Sequence, residues 1–93
     1  MPLSIKFIGA LRHMSGKTQL TVSFQEGISL KEFLMKLGRE LPQLGNFSDQ
    51  LLNDSRSNAL ILVNGGEISV LKGLETKLND GDEIVFVPVV HGG

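Results

Sequence analysis

Leu3, Ile5 and Phe7 alternate with Ser4 and Lys6, and Leu20, Val22 and Phe24 alternate with Thr21 and Ser23. This is the two-residue period of half-buried β-strands, each turning one apolar face inward. Gly9 and Gly16 punctuate the segment between them. The spacing predicts an antiparallel hairpin whose long loop, Gly9 to Gln19, has a mobile tip.

The period then changes. Leu30, Phe33, Leu34, Leu37 and Leu41 recur at helical spacing, with Lys31, Lys36, Arg39 and Glu40 mostly on the other side. Ser29 and Glu32 have the spacing of a capping box, and Ile28 is placed to pack on Phe33 as a hydrophobic staple. Gly38 weakens the last turn, and Pro42 removes a donor and restricts Leu41, so the helix ends at one or the other. From Pro42 to Asn58 the residues are polar and turn-forming, yet Leu44, Phe47, Leu51 and Leu52 require part of this connection to dock, with a short helix near Asp49 to Asn53. Leu60 to Val63 is an unbroken apolar run, the pattern of a strand buried on both faces. Asn64-Gly65 favours a tight reversal, after which Ile68 to Leu71 is expected to return as a short strand. Asn79 to Asp82 is a second turn signal, Ile84 to Val87 the last strand, and Pro88 ends pairing on its own N–H side. The predicted class is α+β: a mixed sheet with one main helix packed on one face.

At 93 residues, with 41% hydrophobic and 20% charged, the chain is expected to form one small folded domain. A formal net charge of -1 gives no general attraction to phosphate backbones or anionic lipid, so neither nucleic acid nor membrane is expected as a direct partner. No basic-then-apolar leader precedes Leu3 and no apolar run approaches the roughly 18 residues of a bilayer span, from which a cytoplasmic location is expected. The absence of cysteine rules out disulfides, thiolate nucleophiles and cysteine metal sites.

Few motifs for intrinsic chemistry survive inspection. Gly16-Lys17-Thr18 resembles the end of a phosphate-binding loop, but Leu11 stands where a glycine is required and a strand pattern comes where a helix is needed. Asp80, Asp82 and Glu83 lack the spacing of a calcium loop and read as a solvated turn. His13 and His91 have no recognisable catalytic partner; His13 reads as an exposed loop residue, and His91, beside the terminal glycines, as a recognition residue. The chain ends in that pair, Gly92-Gly93, close behind its last apolar strand. Glycines at a chain end can thread extended through a narrow slot in another protein. A carboxylate there is a poor electrophile until a partner enzyme converts it to a mixed anhydride such as an acyl-adenylate. Residues 1–88 are thus expected to be the folded domain and 89–93 a flexible tail.

The stretch from Asn79-Asp80-Gly81-Asp82 through Ile84-Val85-Phe86-Val87-Pro88 to Gly92-Gly93, together with the element order, resembles the MoaD/ThiS superfamily of ubiquitin-like sulfur carriers. The resemblance implies a β-grasp fold with the first and last strands adjacent at the sheet centre. It also implies that the protein is not an enzyme. Gly93 would be adenylated by an E1-like adenylating enzyme that consumes ATP, the chain itself binding no cofactor or metal. Gly93 would then be thiocarboxylated with a sulfurtransferase, or joined to lysines of target proteins. Pro88, Val89, Val90, His91 and Gly92 would be gripped by the partner's groove. His91-Gly92-Gly93 and Leu71-Lys72-Gly73-Leu74-Glu75 are similar to the ubiquitin-related modifier and archaeal small modifier branch, which implies sulfur donation to a tRNA thiolation enzyme and protein modification. Phe86-Val87-Pro88 keeps part of the Phe-Pro-Pro ending of the MoaD branch, whose tail serves the large subunit of molybdopterin synthase. Dedicated service as that small subunit, or as a non-covalent ubiquitin-like binding module, are the competing readings.

Overall fold

The computed structural model describes residues 2–53 and 59–89. β1 (Leu3–Phe7) and β2 (Gln19–Val22) pair antiparallel, with Ile5 opposite Leu20. α2 (Leu30–Glu40) and α3 (Gly45–Asn53) come next, and then β3 (Ala59–Val63), β4 (Gly66–Glu67) and β5 (Glu83–Pro88). The five-stranded sheet has the order β2-β1-β5-β3-β4. β5 lies parallel to β1 and antiparallel to β3. This mixed sheet with helices on one face is the β-grasp arrangement, and the first and last strands are neighbours as the resemblance implies.

The alternating residues build the core. Leu3, Ile5 and Phe7 of β1, Ile84 and Phe86 of β5, and Ala59, Ile61 and Val63 of β3 are buried beneath Leu30, Phe33, Leu34 and Leu37 of α2. α3 adds Phe47 and Leu51. Phe86 stacks on Phe7 at 5.5 Å between ring centroids and meets Phe47 edge-on at 5.2 Å, joining the two central strands to α3.

α2 begins as its sequence dictates. The Ser29 hydroxyl accepts from Glu32 N at 3.1 Å, and the Glu32 carboxylate accepts from Ser29 N at 3.4 Å, closing the capping box. The helix runs through Gly38 and stops at Leu41, so Pro42 makes the stop; Pro42 opens a short 3-10 turn, Pro42–Leu44, that leads into α3. Gly38 serves the helix crossing instead: a Cβ there would lie 3.1 Å from the Cβ of Ser48 on α3.

Several expectations need correction. The segment from Gly9 to Gln19 holds a short helix, α1 (Leu11–Ser15), where a long loop is expected. Leu11 and Ser15, four residues apart, share its inward face, and Gly16 closes it at φ 75°. β2 ends at Val22, leaving Phe24 beyond it. The short helix expected near Asp49 starts four residues earlier, at Gly45. β3 is not buried on both faces: Leu60 is 37% exposed, because the helices cover only one side of the sheet. After the Asn64-Gly65 reversal, the return strand is Gly66–Glu67, and Ile68–Val70 is a 3-10 turn whose Ser69 amide donates to the Glu67 carboxylate at 2.7 Å.

Candidate functional site

Of the residues singled out for the tail, Pro88 and Val89 are described and half-buried, while Val90, His91, Gly92 and Gly93 lie outside the described residues. The described part of the candidate site is therefore the end of β5 and the segments that hold it. β5 is held on both edges, from Ser4↔Glu83 to Phe7↔Phe86 against β1 and from Val63↔Ile84 to Ala59↔Pro88 against β3. β5 thus lies at the middle of the sheet, with Val89 the last described residue after it.

The start of β5 is clamped by the turn before it. Asn64, at φ 51°, donates from Nδ2 to Asp82 Oδ1 at 2.8 Å, and its Oδ1 accepts from Glu83 N at 2.9 Å. Asp82 Oδ2 accepts from Asn79 N at 2.8 Å. The acidic turn is therefore an organised clasp between two connections, more than a solvated turn. At the other end, Ile8 N donates to Phe86 O at 3.0 Å, and β1 then turns away at Gly9, φ +60°. Pro88 sits against that glycine, where a Cβ would come within 3.2 Å of the proline Cγ.

The burial alternation assigns the open face of the sheet. Ile84 and Phe86 point to the helices, leaving Val85 and Val87 on the other side, next to Leu60 and Leu62 of β3. Ile8 extends this apolar area at the tail end, and Lys6 and Glu83 flank it with an ion pair at 3.0 Å. Both partners of that pair are well exposed, so it contributes no more than about 1 kcal/mol and serves mainly to give the rim a polar character. Sequence reasoning does not pick out Ile8, Leu60, Val85 and Val87 as a surface, because in unbroken apolar runs the phase that separates the two faces is hidden; pairing reveals it. His13 is exposed on α1. Among the described residues no helix is long and apolar enough to cross a membrane.

Comparison with known proteins points in one direction. The profile of the ThiS family matches residues 5–93. Small archaeal modifier protein 3 of Haloferax volcanii is 27% identical over 95 residues, covering all of both chains. Among solved structures, the HVO 2177 protein of Haloferax volcanii superposes with a TM-score of 0.79 at 27% identity, over 100% of this chain and 87% of that one. Small archaeal modifier protein 1 of Methanosarcina acetivorans does so with a TM-score of 0.72 at 29% identity, over 99% and 96% of the two chains.

Proposed function

The chain belongs to the ThiS family of small ubiquitin-like carrier and modifier proteins, and from that premise we propose that its working part is the terminal carboxylate of Gly93. An E1-like enzyme would adenylate that carboxylate with ATP, releasing pyrophosphate. Attack by the terminal sulfur of a sulfurtransferase persulfide at the acyl-adenylate, with AMP leaving, would give an acyl disulfide. A second thiol would then reduce its S–S bond to release a thiocarboxylate able to donate sulfur, leaving a disulfide on the sulfurtransferase side. Attack by a lysine amine would give an isopeptide bond. Both routes use Gly93 as substrate, and neither needs a catalytic side chain from this protein. The observation that carries the reading is the extent of the family match, which runs through the Gly92-Gly93 ending. The full-length similarity to Small archaeal modifier protein 3 favours the modifier branch over dedicated service to molybdopterin synthase.

The body and tail would divide the work of recognition. The open-face residues Ile8, Leu60, Val85 and Val87 supply apolar area for docking the activating enzyme, and Val89 to Gly92 fit a groove as an extended strand whose glycine passes the narrowest point. A sulfurtransferase and target proteins or a thiolation enzyme complete the partner set. The test is ATP–pyrophosphate exchange with the cognate E1-like enzyme. Replacing Gly93 by a bulky residue, or adding one residue after it, is expected to abolish exchange with the circular dichroism spectrum unchanged. Undiminished exchange by either variant would refute the mechanism.

A further inference from the structure

The end of β5 carries a device whose parts come from two distant segments. Residues of a strand direct their backbone polar groups alternately to its two neighbours. Glu83 O accepts from Asn64 N at 2.8 Å on the β3 side, and Phe86 O accepts from Ile8 N at 3.0 Å on the β1 side. Odd-numbered residues of β5 therefore face β3 and even-numbered ones face β1, which places the nitrogen of Pro88 on the β1 side. The next rung of the parallel ladder would run from the amide of residue 88 to the carbonyl of Ile8. Pro88 has no N–H to form it. The Ile8 carbonyl accepts instead from Leu11 N at 3.2 Å, as the chain turns into α1.

The proline ring also occupies the ground where a rung would close. A Cβ on Gly9 would stand 3.2 Å from Pro88 Cγ and 3.8 Å from Cδ, so the bare glycine is what gives the ring its seat. Gly9 at φ +60° meanwhile carries β1 away from the ladder. We propose that Pro88, seated on Gly9, is a positioning residue that stops the β1–β5 ladder, so that β1 does not compete with a partner's groove for the residues after it. This assigns Pro88 to the folded body and not to the segment the partner grips, and it rests on the carrier reading above. At about 3.3 Å per residue, five residues span at most roughly 16 Å when extended, so capture of even one by β1 shortens the reach by a meaningful fraction.

The test measures ATP–pyrophosphate exchange and backbone amide exchange on the full chain, for the wild type, Pro88→Ala, Gly9→Ala and the double variant. Pro88→Ala is expected to lower kcat about fivefold at unchanged KM, because the enzyme must first break the added rung, whose net worth is that of one hydrogen bond. The new amide at residue 88 should be protected from exchange. Gly9→Ala should lower kcat when Pro88 is present and have no further effect on kcat in the Pro88→Ala background, whereas simple backbone strain at Gly9 would act equally in both. Wild-type kcat in Pro88→Ala, an unprotected amide at 88, or equal Gly9→Ala effects in both backgrounds would overturn the proposal. A wild-type chain that the enzyme does not adenylate would sink the carrier reading instead, and the amide measurement would then decide by itself whether Pro88 stops the ladder.

Discussion

Phe86→Ala is the perturbation that most sharply probes how β5 is held. Phe86 is fully buried, stacks on Phe7 with 27° between ring planes, and meets Phe47 nearly perpendicular at 83°. Truncating a buried phenylalanine costs about 3–5 kcal/mol, from lost transfer free energy and the cavity left behind. Two aromatic contacts of favourable geometry, each worth roughly 0.5–1.5 kcal/mol, place this site near the top of that range. A domain of 93 residues has a net stability on the order of 5–14 kcal/mol, so the truncation removes between about a third and all of it. Phe86→Leu keeps most of the apolar burial but loses both ring contacts, and should cost about 1–2 kcal/mol. The protein has no tryptophan or tyrosine, so urea unfolding is best monitored by far-ultraviolet circular dichroism. With a slope of about 2 kcal/mol per molar urea, Phe86→Ala should lower the midpoint by about 2 M and Phe86→Leu by less than 1 M. A Phe86→Ala midpoint within about 0.5 M of the wild type would refute the claim that this ring joins the central strands to α3.

Single contacts carry further expectations. Ser29→Ala removes the hydroxyl half of the capping box and should destabilise the protein by about 1 kcal/mol in urea unfolding, with Ser29→Asp largely restoring it. Gly38→Ala brings a helix-propensity gain of up to about 1 kcal/mol but presses on the Ser48 Cβ, which sits on helical backbone and yields little. Overpacking of about 1–3 kcal/mol wins, so thermal unfolding should show a lower Tm, and a raised Tm would show that α3 shifts freely. Ser48 Oγ is buried without a hydrogen-bond partner among the described residues, so Ser48→Ala should leave the urea midpoint unchanged or raise it. Asn64→Ala loses the two clasp bonds that its own side chain makes and strains a left-handed position, for a cost of about 2 kcal/mol that urea unfolding should reveal.

The features legible in the sequence were local ones. Ser29 and Glu32 declare the start of α2, because both halves of the capping box lie within one turn. The two-residue alternation of Leu3, Ile5 and Phe7 carries the face of β1 unaided. α1 escapes such reading because its one inward pair, Leu11 and Ser15, gains meaning only once the sheet end exists to bury it. Leu60 to Val63 misleads for a related reason: an apolar run looks the same whether a strand is covered on two faces or on one. Ile68 to Val70 has strand-forming residues, yet Glu67 caps Ser69 and turns the chain into a 3-10 helix, a competition between side-chain and ladder bonds that strand propensity does not weigh. The adjacency of β1 and β5 comes from the family resemblance and not from periodicity, since their pairing joins opposite ends of the chain. That Pro88 ends pairing is legible from its missing N–H, but its seat against Gly9 is not, with nearly eighty residues of sequence between the two.

Activation at Gly93 is read most directly by intact mass spectrometry of the protein isolated from its native cell, coupled to sequencing of its C-terminal peptide. A carrier or modifier should give a chain ending at Gly93 in which a fraction is heavier by the difference between a sulfur and an oxygen atom, or branched peptides in which a target lysine carries Gly92-Gly93. A mature chain bearing further residues after Gly93, with neither thiocarboxylate nor branched peptide under sulfur-replete growth, would contradict it.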